Sequence, residues 1–264
     1  LCDLANVSRA GFYDWRKRPT KPPSKDEEYV IELFIEKKRK AGYRSIKMLF
    51  ERRYKRPINH KKVRRIKRDF NLITAIRRKS KFRALFVDGR EHSTAPNLVQ
   101  RKFLDPELVL VDLTEMRIKG GLKSYVFAMK HALSSEIVGL DASTTPSMAL
   151  VTNTMRSFLS TASGTFTIHS DQGTHFTSGE YRELLKEFNV TQSMSRKGVC
   201  LDNAPIESFF GHLKDELEYK DCESLEELRT RLNEYRIYYN QERPQWDLKR
   251  KTPAEARVDL GIVY

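Results

Sequence analysis

Long apolar runs are missing from this chain of 264 residues. No stretch approaches the roughly 18 residues that a bilayer-spanning helix needs, and the longest candidate, Leu108–Val111, is cut short by Asp112. A membrane span and a secretory leader are therefore not expected. Cysteine is scarce: Cys2, Cys200 and Cys222 stand far apart. That argues against a zinc knuckle or a disulfide scaffold and suits reduced thiols in a cytoplasm. Internal repeats and low-complexity tracts are absent. An initiating Met is absent too, so the true N-terminus is expected upstream of Leu1.

Negative charge is scarce in one half only. Residues 1–100 hold 28 of the 49 Lys and Arg but 11 of the 35 Asp and Glu, a net +17, whereas residues 101–264 carry a net −3. Excess positive charge confined to one segment is the footprint of a nucleic-acid-binding module joined to something else. A basic surface serving only solubility is the bland alternative.

The chain then reads in order. Ser8 caps a helix over Arg9–Arg16, and Pro19, Pro22 and Pro23 form a linker. Ser24 with Glu27 is a capping box opening a helix with Val30, Leu33 and Phe34 on its apolar stripe. Ser45–Tyr54 and Lys61–Asp69 are two further helices. In the last, Val63 and Ile66 are apolar, and Lys61, Lys62, Arg64, Arg65, Lys67 and Arg68 cover most of the rest. Three short helices ending in a basic one suit a helix-turn-helix whose last helix enters the major groove; a bundle touching only phosphates is the alternative. Arg77–Arg83 is a basic linker. From residue 101 the pattern becomes β-rich: Leu108–Ile118, Tyr125–His131 and Glu136–Asp141 form an antiparallel meander. A helix over Ser147–Leu159, a strand over Thr165–His169, a helix over Ser178–Phe188 and a strand over Val190–Ser193 follow. Ser195–Leu201 is expected to be a mobile loop, and Asn203–Leu217 and Leu225–Tyr239 to be amphipathic helices. This order is an α/β layer fold.

Three carboxylates stand out. Asp112 interrupts an apolar strand, where an ionised group is costly unless paired or metal-bound. Asp171 ends the fourth strand, the place where ligands meet open α/β sheets. Glu207 lies at the rim of the apolar stripe formed by Ile206, Phe209, Phe210, Leu213 and Leu217. Asn203 and Lys214 fall on its side of the helix, with Gly211 leaving a gap between them. All-oxygen donors of this kind suit Mg²⁺ or Mn²⁺ rather than zinc. Spacing alone leaves open a plainer reading: a paired Asp, a capping Asp and a surface Glu.

The words around them are more specific. Between Asp112 and Asp171 lie 58 residues, and between Asp171 and Glu207 lie 35. The flanks are Val111-Asp112-Leu113-Thr114, His169-Ser170-Asp171-Gln172-Gly173, Ser193-Met194-Ser195-Arg196-Lys197-Gly198 and Asp202-Asn203-Ala204-Pro205-Ile206-Glu207-Ser208-Phe209-Phe210. With Leu213-Lys214, Glu216, Tyr238-Tyr239-Asn240, Arg243-Pro244 and Thr252-Pro253, they resemble the bacterial insertion-sequence DDE transposases, which share a core with retroviral integrases. Gly42-Tyr43-Arg44 and His60-Lys61-Lys62-Val63 resemble the helix-turn-helix of that family.

The resemblance implies a ribonuclease-H-like five-stranded mixed sheet with flanking helices, preceded by a small all-α helix-turn-helix domain. The division expected is residues 1–23 as a partial helical segment and linker, 24–83 as the DNA-binding domain, 84–100 as a linker, 101–240 as the catalytic core and 241–264 as a tail. The resemblance also implies metal-dependent strand nicking and strand transfer, with Asp112, Asp171 and Glu207 binding two Mg²⁺ or Mn²⁺ ions. The partners implied are the element's terminal inverted repeats and target DNA, met by a homo-oligomer in the bacterial cytoplasm and nucleoid. Lys214, Asn203, Arg196 and Lys197 are candidate DNA contacts of the core; Tyr43, Arg44, Lys61, Lys62, Arg64, Arg65 and Arg68 are those of the basic domain. Plainer roles stand beside these: an exposed lysine for Lys214, a helix cap for Asn203, a satisfied strand histidine for His169, and core or interface packing for Tyr235, Tyr238, Tyr239 and Trp246. A catalytically inactive DNA-binding repressor or domesticated protein is the alternative function, and a nuclease without joining activity is a third. The chain departs from the family pattern at Glu115 and over His131-Ala132-Leu133-Ser134-Ser135.

Overall fold

The computed structural model describes residues 2, 5, 7–17, 22–75, 94–196 and 199–264, without the side chain of Cys200. The expected linker Arg77–Arg83, residues 84–93 of the next linker, Pro19 and Lys197 lie outside them. The chain divides into two compact units, Leu1–Thr74 and Ala75–Tyr264.

The first unit is helical. Helix α1 (Arg9–Lys17) has its first turn closed by Ser8, whose Oγ accepts the Gly11 N–H at 3.0 Å. α2 (Lys25–Glu36), α3 (Tyr43–Tyr54) and α4 (His60–Asp69) bury one face each. Glu27 accepts the Ser24 N–H at 2.7 Å at the start of α2, and the Asn59 side chain accepts the Lys61 N–H at 2.8 Å at the start of α4. The core is Val30, Leu33 and Phe34 against Ile46, Phe50, Ile58, Val63 and Ile66. The stripe read from the sequence is thus the packed face, because helical period places i, i+3 and i+4 side chains together.

Not all of the α4 cations remain on the surface. Lys67 folds over the Phe34 ring, 3.9 Å from its centroid, and donates to the Ala41 carbonyl and Thr74 Oγ1. Burial pushes its ammonium down to about 8. Lys62 is tied to Asp26, which also pairs with Arg56. Lys61, Arg64, Arg65 and Arg68 are exposed.

The second unit is built on five strands: β1 (Leu108–Arg117), β2 (Lys123–His131), β3 (Ile137–Ser143), β4 (Thr167–Ser170) and β5 (Thr191–Met194). Their order across the sheet is β3-β2-β1-β4-β5. β2 pairs antiparallel with β1 and β3; β4 is parallel to β1, and β5 is parallel to β4. Helices α5 (Met148–Leu159) and α6 (Gly179–Glu187) supply the crossovers. Alternation along β1 divides the core into two layers. Val109 and Val111 pack with α5 and α6, and Leu108, Leu110 and Met116 pack with α7 (Ala204–Glu216) and α8 (Leu225–Ile237). Among the described residues, no helix is long and apolar enough to cross a membrane, and Cys2 and Cys222 are free thiols.

Two C-terminal details differ from expectation. Instead of running on to Tyr239 as an α-helix, α8 passes into a π-turn over Tyr238–Glu242. Within that turn, Asn240 reaches the edge of β3, accepting the Ile137 N–H at 2.9 Å and donating to its carbonyl at 3.0 Å. The amide thereby blunts an otherwise open strand edge. The expected tail over 241–264 contains a helix, α9 (Pro253–Asp259), whose Thr252 and Glu255 form a capping box. Tyr235 and Tyr239 are core aromatics around Phe209, whereas Trp246 is 45% exposed beneath Arg250.

The Glu216 and Arg243 of the motif words are partners. The Arg243 guanidinium grips both Glu216 oxygens, at 2.7 to 3.1 Å, and the Tyr235 hydroxyl donates to the same carboxylate at 3.0 Å. Both side chains are largely buried, at 14% and 20% exposure. Removing one partner of such a pair strands the other charge. Arg243→Ala is therefore expected to cost about 3 kcal/mol of stability in urea denaturation, and Arg243→Ala with Glu216→Ala less than the sum of the singles.

Candidate active site

β1 carries Asp112 on the face that packs against α7, because 108, 110 and 112 share one side of a strand. The parallel register sets Leu108 opposite Thr167, Val109 opposite Ile168 and Leu110 opposite His169. Continued two residues beyond the ladder, the same register would set residue 171 opposite residue 112. Residue 171 has just left β4, so its backbone is no longer held in the ladder. α7 crosses this face of the sheet, and Glu207 stands in its first turn.

Of the three, Asp112 lies within reach of the charges of the other two. Asp112 is half-buried, and its Oδ1 accepts the Leu113 N–H at 2.7 Å. Its carboxyl is pushed up to about 7: burial contributes most, Asp171 next among the raising effects, and Glu207 adds to it, while the Leu113 N–H and Lys214 oppose. Asp171 is exposed at the strand end, yet the protein around its carboxyl still raises it. The Gly173 N–H, bonded to Oδ1 at 2.8 Å, and His175 pull the other way. At position 173 a Cβ would lie 2.9 Å from that same oxygen, so glycine permits the close approach. Glu207 is half-buried.

Among the described residues no three His, Cys, Asp or Glu side chains form a ready cluster for a metal ion. Burial first, and then the like charges of Asp171 and Glu207, raise the Asp112 carboxyl. In donor chemistry the set, all oxygen, fits a hard divalent cation.

Around the carboxylates, Lys214 donates to Thr114 Oγ1 at 2.5 Å, two residues beyond Asp112 on the same face of β1. Asn203 sits at the cap position of α7 without capping it. Its Nδ2 donates to the Val111 carbonyl at 3.3 Å, and its buried Oδ1 has no partner among the described residues. His169 is a buried, satisfied strand histidine, with Nδ1 2.9 Å from Ser193 Oγ and Nε2 3.2 Å from Ser195 Oγ. Ser195 is buried too, and its N–H donates to the Ser170 carbonyl at 2.8 Å. Arg196 turns its guanidinium onto Asp202 at 2.9 and 3.1 Å. The loop expected to be mobile is thus tied down at Ser195 and Arg196. Asp202 is fully buried and held well below the usual carboxylate range, by Arg196 foremost and Arg101 after it, against the effect of burial. Nothing in the sequence singled out Arg101 or Asp202. An Asp before a helix reads as a cap, and 101 residues separate the pair.

In the helical unit, considered by itself, Arg44 and Arg64 approach the Tyr43 ring, at 5.8 and 5.5 Å from its centroid. Arg65 and Arg68 face Asp69 at 4.0 and 3.0 Å.

The two departures from the family pattern lie off the carboxylate face or beyond its end. Glu115 points to the other side of β1 from Asp112 and pairs with Arg117 at 2.9 Å and Lys123 at 3.8 Å. His131 closes the β2–β3 turn: its Nδ1 accepts the Ser134 N–H at 3.1 Å, and its Nε2 lies 2.8 Å from the Pro106 carbonyl. The imidazole accepts the turn N–H as an aspartate side chain can.

Comparison with known proteins supplies the family. Residues 105–200 and 189–253 match models of the integrase core domain, and residues 24–80 match an HTH-like domain. The chain is 34% identical to the putative transposase InsK for insertion sequence element IS150 of Escherichia coli K12, over 97% of this chain and 92% of that one. It is 37% identical to an uncharacterized transposase-like protein of Haemophilus influenzae, over 80% of this chain and 98% of that one. In fold it resembles a chain of the simian T-cell lymphotropic virus intasome, with a TM-score of 0.52 at 13% identity, over 63% of this chain and 59% of the viral one. The chain belongs to the insertion-sequence DDE transposases, polynucleotidyl transferases of the retroviral integrase superfamily.

Proposed function

We propose that this chain nicks the ends of its own insertion sequence and joins them to target DNA, with Asp112, Asp171 and Glu207 holding two divalent ions, Mg²⁺ or Mn²⁺. The observation that carries the reading is the parallel β1–β4 register, which leads the chain after β4 toward Asp112 on the face that α7, with Glu207 in its first turn, crosses. Bound there, the ions would activate a water or a 3′-hydroxyl and stabilise the leaving oxygen of an in-line displacement at phosphorus. The chain's own groups do the positioning. The Leu113 and Gly173 N–H groups orient Asp112 and Asp171. Lys214, set beside Asp112 by its bond to Thr114, offers an ammonium to a phosphate near the cut. Asn203, Arg196 and Lys197 are further contacts proposed for the strand.

The basic domain, residues 24–83, would grip the terminal inverted repeats through Tyr43, Arg44, Lys61, Arg64, Arg65 and Arg68. Lys62 contributes less, since Asp26 already neutralises it. Residues 84–100 would link this domain to a catalytic core over 101–240. Residues 1–23 form a leading segment, and 241–264, with α9, a closing one. Two element ends and a target must be handled together, so a homo-oligomer on DNA is part of the reading; the simian viral relative in fold was seen in an intasome. Nothing in the site favours the inactive repressor, because all three carboxylates are present.

Oligonucleotides carrying the element's end provide the test. Nicked and joined products are expected in Mg²⁺ and none in EDTA. Cutting that persists in EDTA would remove the three carboxylates from the mechanism.

A further inference from the structure

The three proposed ligands come from separate elements, and something must hold those elements in place before any cation arrives. Asp202 is the point where they meet. Its side chain is wholly buried and accepts five hydrogen bonds. Asn97 Nδ2 donates at 3.0 Å and Arg101 Nε at 2.7 Å, both from the segment leading into β1. Arg196 donates from its backbone N–H at 3.2 Å and from Nε and Nη2 at 2.9 and 3.1 Å, all in the segment leaving β5. Gln100 and Arg101 both take the left-handed backbone conformation, with φ of 47° and 64°. Such a turn needs outside support, and the carboxylate gives it.

The neighbours of that carboxylate reach the remaining elements. His169 of β4, two residues before Asp171, lies through its Nε2 3.2 Å from the Oγ of Ser195, the neighbour of Arg196. Asn203 donates to the Val111 carbonyl, one residue before Asp112. Glu207 follows five residues after Asp202, in the helix that begins at Ala204. One short stretch therefore touches β1 and the loop after β5, whose Ser195 holds the end of β4, and leads directly into α7.

We propose that Asp202 is a positioning residue that assembles the metal site. It binds no metal itself; it fixes the mutual placement of Asp112, Asp171 and Glu207 so that little reorganisation remains when a cation binds. This rests on the proposed function above, and its failure can be told apart from failure of that reading.

Manganese binding to the full-length chain is the direct test, measured calorimetrically without DNA and well below the melting temperature. Asp202→Asn keeps the size of the side chain but withdraws the charge that two guanidiniums share. Its Mn²⁺ dissociation constant is expected to rise about tenfold. Half-maximal cutting should need correspondingly more Mn²⁺, with most of the maximal rate recovered at saturation and affinity for element-end DNA within twofold of wild type. Loss of stability alone would leave the manganese constant unmoved, and an unmoved constant overturns the proposal. If Asp202→Asn does not fold, Arg101→Gln decides: it spares the Arg196 bonds and should raise the constant about threefold, and no rise overturns the proposal. A wild-type chain that binds no manganese and cuts nothing overturns the reading of the site as well. Wild-type activity with unchanged variants overturns this inference only.

Discussion

Asp171→Asn is expected to lower cutting and joining by about three orders of magnitude or more, without weakening DNA binding. A metal ligand in such a site supports several kcal/mol of charge stabilisation in the transition state, and each 1.36 kcal/mol is tenfold in rate. The substitution is nearly isosteric. The amide oxygen can still accept the Gly173 N–H that holds the present carboxylate, so the loop keeps its shape. Withdrawing one negative charge also relieves the repulsion felt at Asp112. The melting temperature should therefore be unchanged or slightly raised, which separates a chemical loss from a folding loss. Single-turnover cutting, a thermal melt and an anisotropy titration decide it together. Asp171→Asn retaining a tenth of wild-type cutting would take Asp171 out of the mechanism.

Binding to DNA is expected to fall about 10³- to 10⁵-fold between 50 and 200 mM salt, the range for six to ten phosphate contacts. The charge behind this lies in the first hundred residues, with their net +17. Exposure separates the cations of α4. Lys61, Arg64 and Arg68 are exposed on α4, so a triple alanine substitution there should lower the slope of log affinity against log salt by about 2 to 3 units, at roughly 0.9 per contact. Lys62 faces Asp26, and Lys67 lies over Phe34. Lys67→Met should scarcely change the slope. A slope unaffected by the triple substitution would place the phosphate contacts on another surface.

Much of the architecture was legible because its signals are local. Alternation in Val109-Leu110-Val111-Asp112 and the three-to-four spacing of Ile206, Phe209, Phe210 and Leu213 each depend on residues within one or two turns. They gave the strands and helices of the core to within a few residues. The chemistry-bearing residues were less legible. Asp112, Asp171 and Glu207 stood out through the words around them rather than through their spacing. Asp202 sat within those words yet showed no role, since what it binds lies at Asn97 and Arg101. The six cations of α4 looked alike, although two of them turn inward to partners on other helices or their connections.

The sequence by itself determined the order of elements, the division of charge between the two halves, and the family whose motif words it carries. Tertiary structure alone decided that β1 and β4 run parallel in a register that leads the chain after β4 toward Asp112, that Asn240 closes the sheet edge, and that a buried aspartate ties three segments together. The division follows from range. Side-chain periodicity is set by neighbours along the backbone, whereas register, burial of charge and the pairing of an aspartate with an arginine 101 residues away exist only once the chain has folded back on itself.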